Sequence, residues 1–326
     1  MRQARIRRPR RRSLPIALAV GLAVAFVAGC ATAPVAEIRQ FNAAFVAVDQ
    51  VGQPLLDDLS QAERAQGRGI AARRAQGKTT LGAALCPTSD VPWQEVPNSG
   101  GFIAGYCLPD APYFASVGDP PATKIFRGAL SIVGNYASVL VALAENRNVE
   151  GGIAEINQAL GDAGAVLKVV GLASSMSPIG AVVGQLEPIL RKLAEAGNVE
   201  TVRKLIQDGN PKVEALIVAL RDAAPAMFNT ITEAHATKLT SEAAENPAVA
   251  EPLLNQIGVY RRVVSDYVVL LDQLYGAWRA TVAAVEQPEG RGGQSDLIRR
   301  SAEIRSFADS VRRALSALRT GGSPTA

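Results

Sequence analysis

The chain has 326 residues, 48% of them hydrophobic and 20% charged, which is enough apolar material for a large core and excludes a chain disordered as a whole. Its formal net charge of +4 comes from seven arginines within the first twelve residues; without them, 27 basic residues face 30 acidic ones, a net of −3, which argues against a nucleic-acid partner. One His and three Cys leave little for metal or nucleophile chemistry, and aromatics at 5% beside abundant Ala, Val and Leu favour helices over β-sandwiches.

The N-terminus reads as an address. Arg2, Arg5, Arg7, Arg8, Arg10, Arg11 and Arg12 form a basic region, and residues 13–29 follow without a charge. That apolar run is shorter than the roughly 20 residues a spanning helix prefers, and the order is that of a secretory signal. The pair Arg11-Arg12 followed by Ser13-Leu14-Pro15 fits twin-arginine export poorly and reads as simple positive charge. The run ends in Val27-Ala28-Gly29-Cys30, which resembles the lipobox of bacterial lipoproteins. The resemblance covers the first thirty residues. It implies a signal peptide over 1–29, cleavage before Cys30, and a diacylglycerol and a further acyl chain (typically palmitate) on Cys30. Ala31, in place of the Asp associated with inner-membrane retention, implies the outer membrane, with the body facing the periplasm. Several acyl chains on one Cys suffice for stable anchoring.

Behind the signal, one helical-bundle domain is expected over residues 30–320, with an irregular insertion at 81–121. Ile38, Phe41, Phe45, Val48, Gly52, Leu55, Leu59 and Ala62 step by three and four, one coiled-coil-like helical seam that Pro54 should kink without ending. Gly67 and Gly69 are expected to loosen its end, which turns basic over 68–78. Asp57, Asp58 and Glu63 are read as a solvated acidic face. The stretch Gln76-Gly77-Lys78-Thr79-Thr80 ends like a phosphate-binding loop, but Ala72 stands where the first Gly is needed and no strand precedes it.

Residues 81–121 break the helical pattern. Seven prolines make this an irregular insertion, with a short strand expected within 101–108. It carries Trp93, Phe102, Tyr106, Tyr113 and Phe114, the expected interaction surface, since rigid bundles carry binding on such loops. Once Cys30 is acylated, Cys86 and Cys107 are the two thiols left. In an oxidising compartment they are expected to pair, closing a loop of about 20 residues for roughly 3 kcal/mol.

Helical periodicity resumes at Ile125, Ala129, Ile132, Tyr136, Val139 and Leu143, and Asn146 and Asn148 end that helix. A second seam runs from Ile153 through Ile156, Leu160 and Leu167 to Val170. Residues 169–184 carry no charge and hold the small pair Gly180 and Gly184. They are read as a buried helical hairpin, or alternatively as a segment entering lipid. A short helix over 199–207 is expected to stop at Asp208-Gly209-Asn210, with Pro211 opening the next, which kinks at Pro225 and runs to Ser241. Residues 197–206 look like the second helix of an ankyrin repeat, but the Thr-Pro-Leu-His start is missing and a single repeat cannot stand alone. His235 is the sole histidine, with no Gly-x-Ser-x-Gly elbow anywhere.

The longest seam is Leu253, Ile257, Tyr260, Val264, Tyr267, Leu271, Leu274 and Trp278, within a helix of about 38 residues. Tyr260, Val264, Tyr267, Leu271 and Leu274 are expected to face the interior, with Arg261, Arg262, Asp266 and Asp272 toward solvent. After a turn at 288–293, Leu297, Ile304, Val311, Leu315 and Leu318 mark a last helix, and 321–326 read as a disordered tail. The expectation is an all-α, elongated bundle of six to eight helices with one disulfide-closed insertion. The function expected is a non-enzymatic scaffold or interaction module, lipid-anchored at the periplasmic face of the outer membrane, with an envelope protein as partner. The alternative is a membrane-active bundle that inserts 169–184 into lipid. No catalytic residue, metal or cofactor is expected.

Overall fold

A computed structural model describes residues 35–75, 94–95, 102–103, 110–170, 179, 181–182, 199–242, 246–286 and 291–319. All lie in one unit, Pro34–Ala326. In chain order the elements are α1 (Val35–Ala75), β1 (Gln94–Glu95), β2 (Phe102–Ile103), α2 (Ala111–Phe114), α3 (Pro121–Ala144), α4 (Glu150–Val170), α5 (Val199–Asp222), α6 (Ala224–Ser241), α7 (Pro247–Glu286) and α8 (Arg291–Arg319). The all-α expectation holds. The only strands among the described residues are β1 and β2, an antiparallel pair of two residues each, with Glu95 opposite Phe102.

α1 is the hub. Its seam is buried from Ile38 to Leu59, and it packs against α2, α3, α6, α7 and α8. Pro54 lies inside it without ending it. α3 runs antiparallel to α1: Glu63 meets Thr123, Gln53 meets Arg127, Asn42 meets Ser138 and Arg39 meets Glu145. α8 runs parallel to α1, with Ser301 bonded to Gln40, Arg312 to Gln50 and Arg319 to Asp58. By length and composition α3 is apolar enough to cross a membrane, but 72% of that stretch is buried inside the bundle. It is a core helix here, and all six seam residues from Ile125 to Leu143 are buried. It ends as its sequence indicates. Asn146 adopts φ 53°, Asn146 N donates to Leu143 O and Arg147 N to Ala142 O, the paired bonds of a left-handed helix terminus.

The centre of the core is Trp278 on α7. Its ring lies 4.9 Å from Phe41 and 6.0 Å from Tyr136, and its Nε1 donates to Asn210 Oδ1 at 2.8 Å. Tyr136 Oη donates to Leu205 O at 2.9 Å. This cluster corrects the expected helix break at Asp208-Gly209-Asn210. α5 runs unbroken through Gly209 and Pro211. A Cβ at Gly209 would stand 2.3 Å from Tyr136 Oη, so the glycine admits a tyrosine rather than ending a helix. The real break comes at Ala223, with Pro225 in the first turn of α6.

α7 spans 40 residues, close to its expected length. Val264, Tyr267, Leu271 and Leu274 are buried as expected, while Tyr260 is half-buried. Arg261, Arg262 and Asp272 are exposed, and Asp266 is half-buried. α8 starts at Arg291, so Gly292 and Gly293 lie in its first turn rather than before it. Leu297, Ile304, Val311 and Leu315 are buried. Of residues 169–184, Ile179 is buried and Ala181 exposed; the side chains of 169 and 170, and residues 171–178, 180, 183 and 184, lie outside the described part.

Candidate interaction site

The far end of α1 is organised around the chain's return from the insertion. Glu63, read as part of a solvated acidic face, is instead only 5% exposed. One carboxylate oxygen accepts from Ala122 N at 2.8 Å, and the other from Thr123 N at 2.9 Å and Thr123 Oγ1 at 3.0 Å. These are the orphan donors at the N-terminus of α3, so a side chain from another helix supplies the cap that Pro120 cannot. Burial raises the pKa of Glu63 above its ordinary range, the hydrogen bonds from Ala122 and Thr123 pull it back, and Asp119 adds to the rise.

Arg64, the next residue, closes around the loop before α3. It donates to Pro112 O, Ala115 O and Gly118 O, and Arg68 donates to Tyr113 O at 3.4 Å. Gly118 has φ 75°, a conformation that glycine takes without strain. Gly67 was expected to loosen α1 but does the reverse. A Cβ there would lie 2.3 Å from Tyr113 Cγ, so the glycine is a notch that seats the ring against the helix. Burial, with Glu63 and Asp110 nearby, pushes the Tyr113 hydroxyl up to about 12.

The five aromatics of the expected surface are therefore not alike. Tyr113 of α2 is half-buried against α1, and Phe114, the next residue, is 58% exposed. Phe102 lies in β2, where only the backbone is described, and Trp93 and Tyr106 fall outside the described residues. Cys30, Cys86 and Cys107 also fall outside them, so the expected disulfide is not among the described contacts.

The other two acids of that expected face, Asp57 and Asp58, part ways. Asp57 is exposed and pairs with Arg127 at 3.1 Å, while Asp58 accepts from Arg319 at 2.8 Å. Tyr260 Oη donates to Asp58 over a long 3.5 Å. Burial raises Asp58 above the usual carboxylate range against the pull of Arg319. Asp57, Asp58, Gln256, Tyr260 and Arg319 line an open polar cleft of about 660 Å³. His235 stacks on Tyr260 with centroids 6.3 Å apart. Burial, and then Lys238, lower the pKa of its imidazole below the ordinary histidine range. Among the described residues, no group of three His, Cys, Asp or Glu side chains is placed to hold a metal ion.

Sequence reasoning missed the Glu63 cap. The available signal was an acidic residue at the step after Leu59, on the buried face of an otherwise apolar seam. No family model, curated protein or solved structure matches this chain.

Proposed function

We propose that the chain is a lipid-anchored envelope protein, processed at Cys30, that acts as a non-enzymatic scaffold or interaction module at the periplasmic face of the outer membrane. The observation that carries this reading is the order of the N-terminus: seven arginines, an uncharged run over 13–29, then Val27-Ala28-Gly29-Cys30. The body behind it suits display rather than chemistry. Its polar side chains at the far end of α1 are spent on holding the returning loop in place. In this reading Cys86 and Cys107 form a disulfide that closes the insertion, and the insertion presents its aromatics to a protein partner in the envelope.

Mass spectrometry of the mature N-terminus tests the anchor. An acylated Cys30 is expected, with the precursor accumulating in Cys30→Ala; a soluble product starting elsewhere overturns the reading. A thiol count on the denatured, unreduced mature protein should find neither Cys86 nor Cys107 free. Crosslinking and pull-down from intact cells should recover one envelope protein, with loss of that partner in a variant whose insertion is replaced by a short linker.

A further inference from the structure

The basic end of α1 has no part in the anchor. After Glu63, residues 64–78 hold Arg64, Arg68, Arg73, Arg74 and Lys78 and no acid. Arg68 and Arg73 are exposed, and Arg64 and Arg68 donate to carbonyl oxygens of the loop before α3, which carry no formal charge. Of the acids around this end of α1, Glu63 caps α3, Asp119 accepts from Arg127 at 2.8 Å, Glu233 accepts from Gln66, and Asp110 lies beside Tyr113. The loop closed around Arg64 carries, among the described residues, the two most exposed large apolar side chains, Phe114 at 58% and Val117 at 80%. We infer that this tip, Phe114 and Val117 beside the basic end of α1, docks on an anionic phospholipid surface.

The physical case rests on the pairing of features. Apolar side chains flanked by cations are what an anionic bilayer interface takes up, the chains entering the acyl boundary while the guanidinium groups meet the headgroups. A protein partner at the insertion needs about 800 Å² of matching surface on each side, which the other aromatics would have to supply; Phe114 and Val117 by themselves suit lipid, which needs no pocket. Arg64 holds the loop through three carbonyls, so the tip is ordered before it docks and loses little freedom on docking. The inference goes beyond the anchor at Cys30 and stands apart from it. Gly67 lies 32 residues along α1 from Val35, about 48 Å at the helical rise, so the tip stands at the far end of that helix from its first residue.

The test uses protein beginning at Ala31, which lacks the acylated cysteine and the apolar run but keeps the whole Pro34–Ala326 unit. Co-sedimentation is measured with vesicles of phosphatidylcholine alone and with 30% phosphatidylglycerol. Binding to the anionic vesicles only, weakened by salt, is expected. Phe114→Ser with Val117→Ser should lower it about tenfold or more. Arg68→Gln with Arg73→Gln should do the same, at about fivefold per charge. Leu254→Ser, at another exposed apolar site, should leave it unchanged. Circular dichroism melts confirm that each variant is folded. Equal binding to both vesicle types, no binding to either, or equal loss in Leu254→Ser overturns the inference. So does a protein captured in cells through Phe114 and Val117 when the vesicles take up nothing.

Discussion

The centre of the bundle and the far end of α1 are held by opposite means. Around Trp278, rings and aliphatic side chains from α1, α3, α5 and α7 exclude water; Tyr136 Oη and Trp278 Nε1 donate to Leu205 O and Asn210 Oδ1, while elsewhere on α7 the buried Tyr267 Oη has no hydrogen-bond partner among the described residues. At the loop before α3, a buried carboxylate and a guanidinium gather backbone N–H and C=O groups that lie outside any helical ladder. Apolar burial is nondirectional and indifferent to pH; the polar clamp is directional and titrates. The contrast teaches that the core sets stability, while the clamp sets where one loop stands.

The largest effect is expected at the centre. Trp278→Ala removes the ring that joins three helices and strands Asn210, and should cost about 3–5 kcal/mol in a denaturant melt. Gly209→Ala comes next. Its new methyl meets Tyr136 Oη, and a loss of about 1–3 kcal/mol is expected although Ala is the better helix former by about 1 kcal/mol. A gain in stability there would break the claim that Gly209 is a packing notch.

Glu63→Gln sharpens the comparison through pH. The variant loses one acceptor against the start of α3, worth about 1–2 kcal/mol. Because burial raises the folded pKa above the ordinary 4.5, the folded wild type binds its proton more tightly than the unfolded chain does. The stability that this proton linkage contributes is fully present below 4.5 and is lost as pH rises through the raised folded value. The gap between wild type and Glu63→Gln should therefore narrow with rising pH across that window. A gap that widens would mean that the hydrogen bonds outweigh burial. The smallest effect is expected on the surface. Asp272 pairs with Arg221 at 2.8 Å with both side chains in water, and Asp272→Asn should change stability by less than about 0.5 kcal/mol.

Periodicity made the core legible. The seams of α1, α3, α7 and α8 were readable because a three-four rhythm of large apolar residues has one physical meaning in a chain of this composition. Glycine and proline were misread where tertiary packing decides. Gly67 and Gly209 look like local breaks, yet each is a gap that a tyrosine from another element fills. Pro211 looks like a helix start but sits inside α5, where packing around Asn210 and Leu205 outweighs the lost backbone bond. Glu63 was assigned to solvent because its partners, Ala122 and Thr123, lie about sixty residues away, and spacing along one helix carries no information about them.

The parallel pairing of α1 with α8 has a consequence for how the chain reaches this state. Gln40, Gln50 and Asp58 find partners at Ser301, Arg312 and Arg319, each more than 250 residues later. Contacts so distant along the chain raise contact order and close late. α1 must wait with its α8-facing side bare until more than 250 further residues are available. Slow final closure, exposure to proteases before α8 docks, and poor tolerance of C-terminal truncation follow from that single side-by-side arrangement.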